Sequence, residues 1–288
     1  MEITPQCVPC LIRRCQFEAR MVDPSLEMEV TRAAIEEIGR NLGSDLTSAE
    51  MGTRVHSAVN RVLGTDDPYR DLKDRANDTA RRMVNRAKEI IASSSDPLKT
   101  AMLCSVVGNL MDFGIQGQEN APEILEKEFF ELVDSGLDVD HSRKIASYVR
   151  PGANIAYLTD NCGEIFFDAL VWDELRSRGA RITVVARGKP VLSDATSGEI
   201  EDMGLANRCD LLLDTGTYSI GVNPSDLPDR TRKAISGSDL VIAKGMANFE
   251  SMGTDTFRPV AFMLRTKCEP VGRALGEREG LNVIKLFV

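Results

Sequence analysis

Amphipathic stripes with helical spacing fill the first half of the chain, while in the second half short apolar runs alternate with such stripes. Asp23-Pro24 predicts a capped start with proline at the first helical position and a helix toward Asn41, with Gly43 just past its end. Thr47-Ser48-Ala49-Glu50 has capping-box spacing, and its helix runs toward Leu63-Gly64. Asp67-Pro68 predicts another helix reaching Ala92. Pro97 opens a more apolar one through Ala101, Leu103 and Val107, and Ala121-Pro122 and Asp140 begin two more. No strand-like alternation, internal repeat or low-complexity tract is visible here.

The pattern changes at Arg150-Pro151-Gly152, which predicts a helical domain over 1–150 and an α/β domain over 151–288. The apolar runs are Ile155 to Leu158, Ile182 to Ala186, Leu211 to Leu213, Leu240 to Ala243, Val260 to Leu264 and Val283 to Phe287. Alternating with helical segments, they predict a mostly parallel, doubly wound, Rossmann-like sheet with helices on both faces.

Such sheets bind ligands at the carboxyl ends of their strands. Those ends carry Asp160-Asn161, Arg187-Gly188-Lys189, Asp214-Thr215-Gly216, Lys244-Gly245 and Arg265-Thr266-Lys267. A carboxylate beside a carboxamide offers hard oxygen ligands to a Mg²⁺- or Mn²⁺-like cation. Gly163, with a helix start behind it, allows a tight turn and presents backbone N–H groups to an anion. The same turn also reads as a polar helix cap. A cation with basic side chains around it is the combination that holds a phosphate and neutralises its developing charge. No G-x-G-x-x-G follows the first strand and no G-x-x-x-x-G-K-[ST] occurs, so dinucleotide and P-loop signatures are missing.

In the first half, Asn109 and Asp112 lie three residues apart within Gly108-Asn109-Leu110-Met111-Asp112-Phe113-Gly114 and share a helix face. They read either as site residues or as a fraying helix end. Tyr69, Lys73 and Asn77 form a four-residue stripe. Cys7-Val8-Pro9-Cys10, with Cys15 beyond it, suits zinc or redox chemistry, or else buried cysteines at a helix start.

Composition narrows the partners. A net charge of −9 without a basic run argues against nucleic acid or an anionic membrane surface. The 288 residues carry no apolar run long enough to span a bilayer and no signal-peptide pattern at Met1, so a cytoplasmic protein is expected. Seven cysteines in a long chain do not make a disulfide framework, and two histidines, His56 and His141, leave little for an imidazole-rich zinc site.

With these residues assembled, nearly the whole chain resembles the metal-dependent damage-control phosphatases, formerly domain-of-unknown-function family 89, in their stand-alone prokaryotic and archaeal subfamily. The resemblance rests on Asp160-Asn161-x-Gly163-Glu164 with Asp168, Lys189-Pro190-x-x-x-Asp194-x-Thr196 and Lys244-Gly245-x-x-Asn248-Phe249-Glu250. In the helical half it rests on the Gly108–Gly114 stretch and on Asp67-Pro68-Tyr69 with Lys73 and Asn77. It implies a divalent ion (Mg²⁺, Mn²⁺, Co²⁺ or Ni²⁺) on Asp160, Asn161 and Asp194. It also implies hydrolysis of phosphate monoesters of small metabolites, sugar phosphates or damaged phosphometabolites, under a helical cap.

In this reading Lys244, then Lys189 or Arg187, stabilises charge, and Glu164 or Asp112 orients or deprotonates the water. Asn109, Lys73, Asn248 and Glu250 face the substrate. The ligands are expected to be exposed at their strand ends and to contribute little to packing. Two alternatives stay open: an S-adenosylmethionine-dependent carboxyl methyltransferase and a non-enzymatic binder of an anionic metabolite.

Overall fold

The computed structural model describes residues 1–109 and 121–288, with only the backbone of 121–127. The first helices are α1 (Cys7–Val22), α2 (Glu27–Asn41) and α3 (Ser48–Leu63), with a 3-10 turn at Pro24–Leu26. The Asp23 side chain caps that turn, and Thr47 and Glu50 make both bonds of the capping box. Gly64 closes α3 with φ 67°, a conformation costly for other residues. These three helices build a small core of their own around Cys15, Ala19, Val30, Ala34, Met51, Val55 and Val59.

The next elements are α4 (Arg70–Ser93), α5 (Pro97–Gly108), α6 (Ala121–Ser135), β1 (Val139–Asp140) and α7 (Ser142–Ala146). β2 (Asn154–Leu158), α8 (Ile165–Ser177), β3 (Arg181–Ala186), α9 (Ser197–Asp202), β4 (Leu211–Asp214) and α10 (Asp229–Ser236) follow. The chain ends with β5 (Leu240–Lys244), α11 (Gly245–Met252), β6 (Val260–Arg265), α12 (Glu269–Leu275) and β7 (Asn282–Phe287). All six strands expected from the apolar runs are present. Together with β1 they form a seven-stranded sheet in the order β1-β7-β6-β5-β2-β3-β4, in which only the β6–β7 pair is antiparallel.

Side chains alternate across the sheet as the pleat requires. Ile155 and Tyr157 face a core shared with α4, α5 and α8, whereas Ala156 and Leu158 face a second core with α10, α11 and α12. The change of pattern at residue 150 therefore divides two composition patterns, not two cores. Described apolar residues of α4, α5 and α7, with Phe129, Phe130 and Val133 of α6, pack in the same core as the sheet, and β1 pairs with β7 ahead of residue 150. A two-residue strand is too short to show alternation, which is why the first half reads as purely helical. α5 is apolar on every side because it is buried on every side, and its last turn approaches the start of α8.

Candidate active site

The sheet changes winding direction between β2 and β5, whose carboxyl ends are register neighbours through Leu158 and Ala243. Residues leaving these two strands therefore meet. After β2, Gly163 adopts φ 76° and donates its N–H to Asn77 Oδ1 at 2.7 Å, which ties α4 to the turn. After β3, the chain returns so that Asn161 and Asp194 form an isolated bridge, and Ala195 N donates to Asp160 O at 2.7 Å. After β5, Gly245 turns with φ 70°; a Cβ there would lie 1.8 Å from Asp160 Oδ2. Only glycine allows this approach. It sets the Asp160 carboxylate at the N-terminal end of α11, where the helix dipole favours negative charge.

The carboxylates are held by buried donors. Asn109 Nδ2 donates to Asp160 Oδ2 at 2.8 Å and to Glu164 Oε2 at 2.9 Å. Asn161 Nδ2 reaches the same two oxygens at 2.8 and 3.0 Å, while Ser193 Oγ donates to Asn161 Oδ1 at 2.8 Å. Arg187 Nε donates to Asp194 Oδ2 at 2.6 Å, and its Nη2 lies 3.7 Å from Asp160 Oδ1. Lys244 Nζ is paired with Glu164, stands 3.4 Å from Asp168 Oδ1 and donates to Ser105 O at 3.1 Å. Ser105 and Tyr157 hydroxyls donate to Asp168 Oδ1 at 2.6 and 2.8 Å. Buried charges persist only with such partners, because water no longer solvates them.

Asp160 and Asp194 line a cleft of about 710 Å³, together with Arg13 and Arg14 of α1, Glu250 and Lys267. Glu164, Asp168, Arg187, Lys244 and Asn248 lie fully buried and do not line it. Asn248 cross-links strand ends: its Nδ2 donates to Thr159 O and Lys244 O at 3.0 and 2.7 Å, and its Oδ1 accepts from Arg187. Glu250 lines the cleft and accepts from Ser48 Oγ.

Two expected substrate contacts sit elsewhere. Lys189 is exposed and lines a separate cavity of about 600 Å³ with Arg61 and Tyr218. Lys73 is buried between Asp67 and Glu199, at 2.7 and 2.6 Å. Burial would lower its pKa, but the surrounding acidic groups more than offset that and raise it. Asp112 lies outside the described residues. The three residues expected to be exposed ligands are buried instead, since loops after three strands and the end of α5 close over Asp160, Asn161 and Asp194. Ser105, Tyr157 and Ser193 were missed because a lone hydroxyl carries no sequence signal.

Asp168 gives the site a pH signature. Burial, only partly offset by Lys244, pushes its carboxyl up to about 6, and Oδ2 is buried without a hydrogen-bond partner. The folded state thus binds this proton more tightly than the unfolded chain. The contribution to stability is full below about pH 4, falls as pH rises through about 6, and is constant above. Asp168→Asn is expected to remove this slope in urea midpoints measured from pH 4 to 7. An unchanged slope would refute the assignment.

The donor set is hard: the Asp160 and Asp194 carboxylates line the cleft, the Asn161 carboxamide is buried beside them, and the Gly245 backbone makes room for Asp160. It suits a small divalent cation. Residues 3–283 match the family model of the damage-control phosphatase ARMT1-like domain. A damage-control phosphatase of Archaeoglobus fulgidus is 40% identical over 295 residues, covering 99% of each chain. A damage-control phosphatase of Pyrococcus horikoshii is 26% identical, covering 98% of this chain and 97% of its own. A crystal structure of a family 89 protein from Pyrococcus horikoshii superposes with a TM-score of 0.89 at 26% identity, covering 99% of both chains. The chain belongs to the damage-control phosphatase ARMT1-like family, and it is a metal-dependent phosphatase of small phosphorylated metabolites.

Proposed function

We propose that Asp160, Asn161 and Asp194 hold the divalent cation and that phosphate monoesters are hydrolysed in the cleft that Asp160 and Asp194 line. The convergence of two carboxylates and a carboxamide at the turn between β2 and β5 carries this reading. The cation, of the Mg²⁺, Mn²⁺, Co²⁺ or Ni²⁺ class, supplies Lewis-acid polarisation of phosphate and water. Arg187 orients Asp194 through its 2.6 Å bond. Glu164 holds the amides of Asn109 and Asn161 with one oxygen and Lys244 with the other. It therefore positions these groups from behind the cleft. Lys244 lends the buried carboxylates positive charge. Arg13, Arg14 and Lys267, on the cleft wall, are the cations that reach the anionic substrate. Asn109 closes the site from α5, and Asp112 keeps its proposed role as the alternative base on the strength of its spacing from Asn109.

Among the described residues no helix is long and apolar enough to cross a membrane, and we propose a cytoplasmic enzyme acting on small metabolites. The test is phosphate release from a panel of sugar phosphates and damaged phosphometabolites, with each of the four ions and after exhaustive chelation. Release is expected only with a divalent ion. Undiminished turnover after chelation would overturn the metal role.

A further inference from the structure

We propose that Cys15, Glu18 and His56 form a second metal site, suited to a borderline-soft divalent cation of the zinc class, which locks α1 to α3 behind the cleft. Cys15 and Glu18 lie one turn apart on α1, and His56 faces them from α3. All three are buried. Among the described residues they are the group of cysteine, histidine and acidic side chains whose ligand atoms all lie within 4.8 Å of one another.

The three side chains meet at His56 Nδ1, which is within hydrogen-bonding distance of both Cys15 and Glu18. Cys15 Sγ lies 4.0 Å from His56 Nδ1, and Glu18 Oε2 lies 3.1 Å from the same nitrogen. Glu18 Oε1 is nearer, at 2.8 Å, yet it makes no hydrogen bond. With metal–ligand distances of about 2.0 to 2.3 Å, donors around a tetrahedral ion stand roughly 3.2 to 3.6 Å apart, within the spread seen here. His56 Nε2 is also buried without a hydrogen-bond partner. Sulfur, nitrogen and oxygen donors together favour zinc-like ions, whereas the oxygen set at Asp160 favours harder ones.

A cation would also settle the local charge. Burial and the neighbouring Glu18 carboxylate hold the Cys15 thiol well above its ordinary pKa. Binding converts that thiol to thiolate and releases its proton to solvent, with His56 ligating as neutral imidazole. Three protein donors leave one position for water, and His56 borders the cleft, which gives the ion an entry path. The consequence is mechanical. α1 carries Cys7, Cys10, Arg13 and Arg14 on the cleft wall, so a cross-link from α1 to α3 sets where those side chains stand.

The site is tested by loading metal-free full-length protein with Co²⁺ under anaerobic conditions and reading the near-ultraviolet thiolate-to-cobalt band, which an all-oxygen site cannot produce. Wild type is expected to show the band and Cys15→Ser to lose it, with one equivalent less bound zinc by elemental analysis. The triple variant Cys7→Ser/Cys10→Ser/Cys268→Ser is expected to keep the band, and it carries the test if Cys15→Ser does not fold. No band in wild type, a band that survives Cys15→Ser, or loss of the band in the triple variant would each overturn the proposal.

Discussion

Asp160→Asn is expected to lower kcat/KM for phosphate release by at least about a thousandfold, or roughly 4 kcal/mol of transition-state stabilisation. The substitution keeps size and shape. It removes one negative charge from the cleft and leaves an oxygen that still accepts from the amides of Asn109 and Asn161. Because Asp160 and Glu164 share those two donors, neutralising one of them also relieves repulsion between like charges. The metal-free melting temperature is therefore expected to stay close to wild type, while the shift produced by added metal shrinks.

Asp194→Ala provides the contrast. It strips a fully buried guanidinium of its 2.6 Å partner, and breaking a buried pair in this way costs about 3–5 kcal/mol. Activity and stability should fall together there, but separately at Asp160. Metal affinity and turnover near wild type in Asp160→Asn would remove this residue from the ligand set.

Lys244→Met is expected to destabilise the folded protein by about 3–5 kcal/mol, read from urea unfolding at pH 7. Burial works against the charge on Lys244, but the carboxylates of Asp168 and Glu164 overcome it and raise its pKa. Methionine fills similar space while leaving those two carboxylates buried with hydroxyl and amide partners only. The loss should shrink at acid pH, as Asp168 takes up a proton and no longer needs a cation. A loss below about 1 kcal/mol at neutral pH would show that hydroxyls and amides alone hold the pair. Activity should fall as well, since Glu164 positions Asn109 and Asn161.

These effects explain which parts of the molecule are legible from the chain alone. Thr47 with Glu50, and Pro97 behind Asp96, mark helix starts because a cap is a local hydrogen bond. The runs from Ile155, Ile182, Leu211, Leu240, Val260 and Val283 mark strands because a doubly covered sheet buries both faces. Their carboxyl ends follow directly, and with them Asp160, Asn161 and Lys244. Arg187 and Asp194 were legible as candidates but not as a pair. β1 was not legible, because two residues carry no period.

The sequence by itself determined the α/β class, the strand set and the donor types gathered at the strand ends, since periodicity, capping and ligand chemistry are properties of a few neighbouring residues. Only the tertiary structure decided which candidates share one site. Lys73 and Lys189 have the same formal charge as Lys244, yet one is locked between Asp67 and Glu199 and another borders a separate cavity. Asn109, 51 residues before Asp160, reaches it because α5 packs against α8. Burial likewise turned Glu164 and Lys244 from cleft residues into a buried pair behind it. Such outcomes depend on contacts between distant segments and on how much water those contacts exclude, and neither is encoded at the residues themselves.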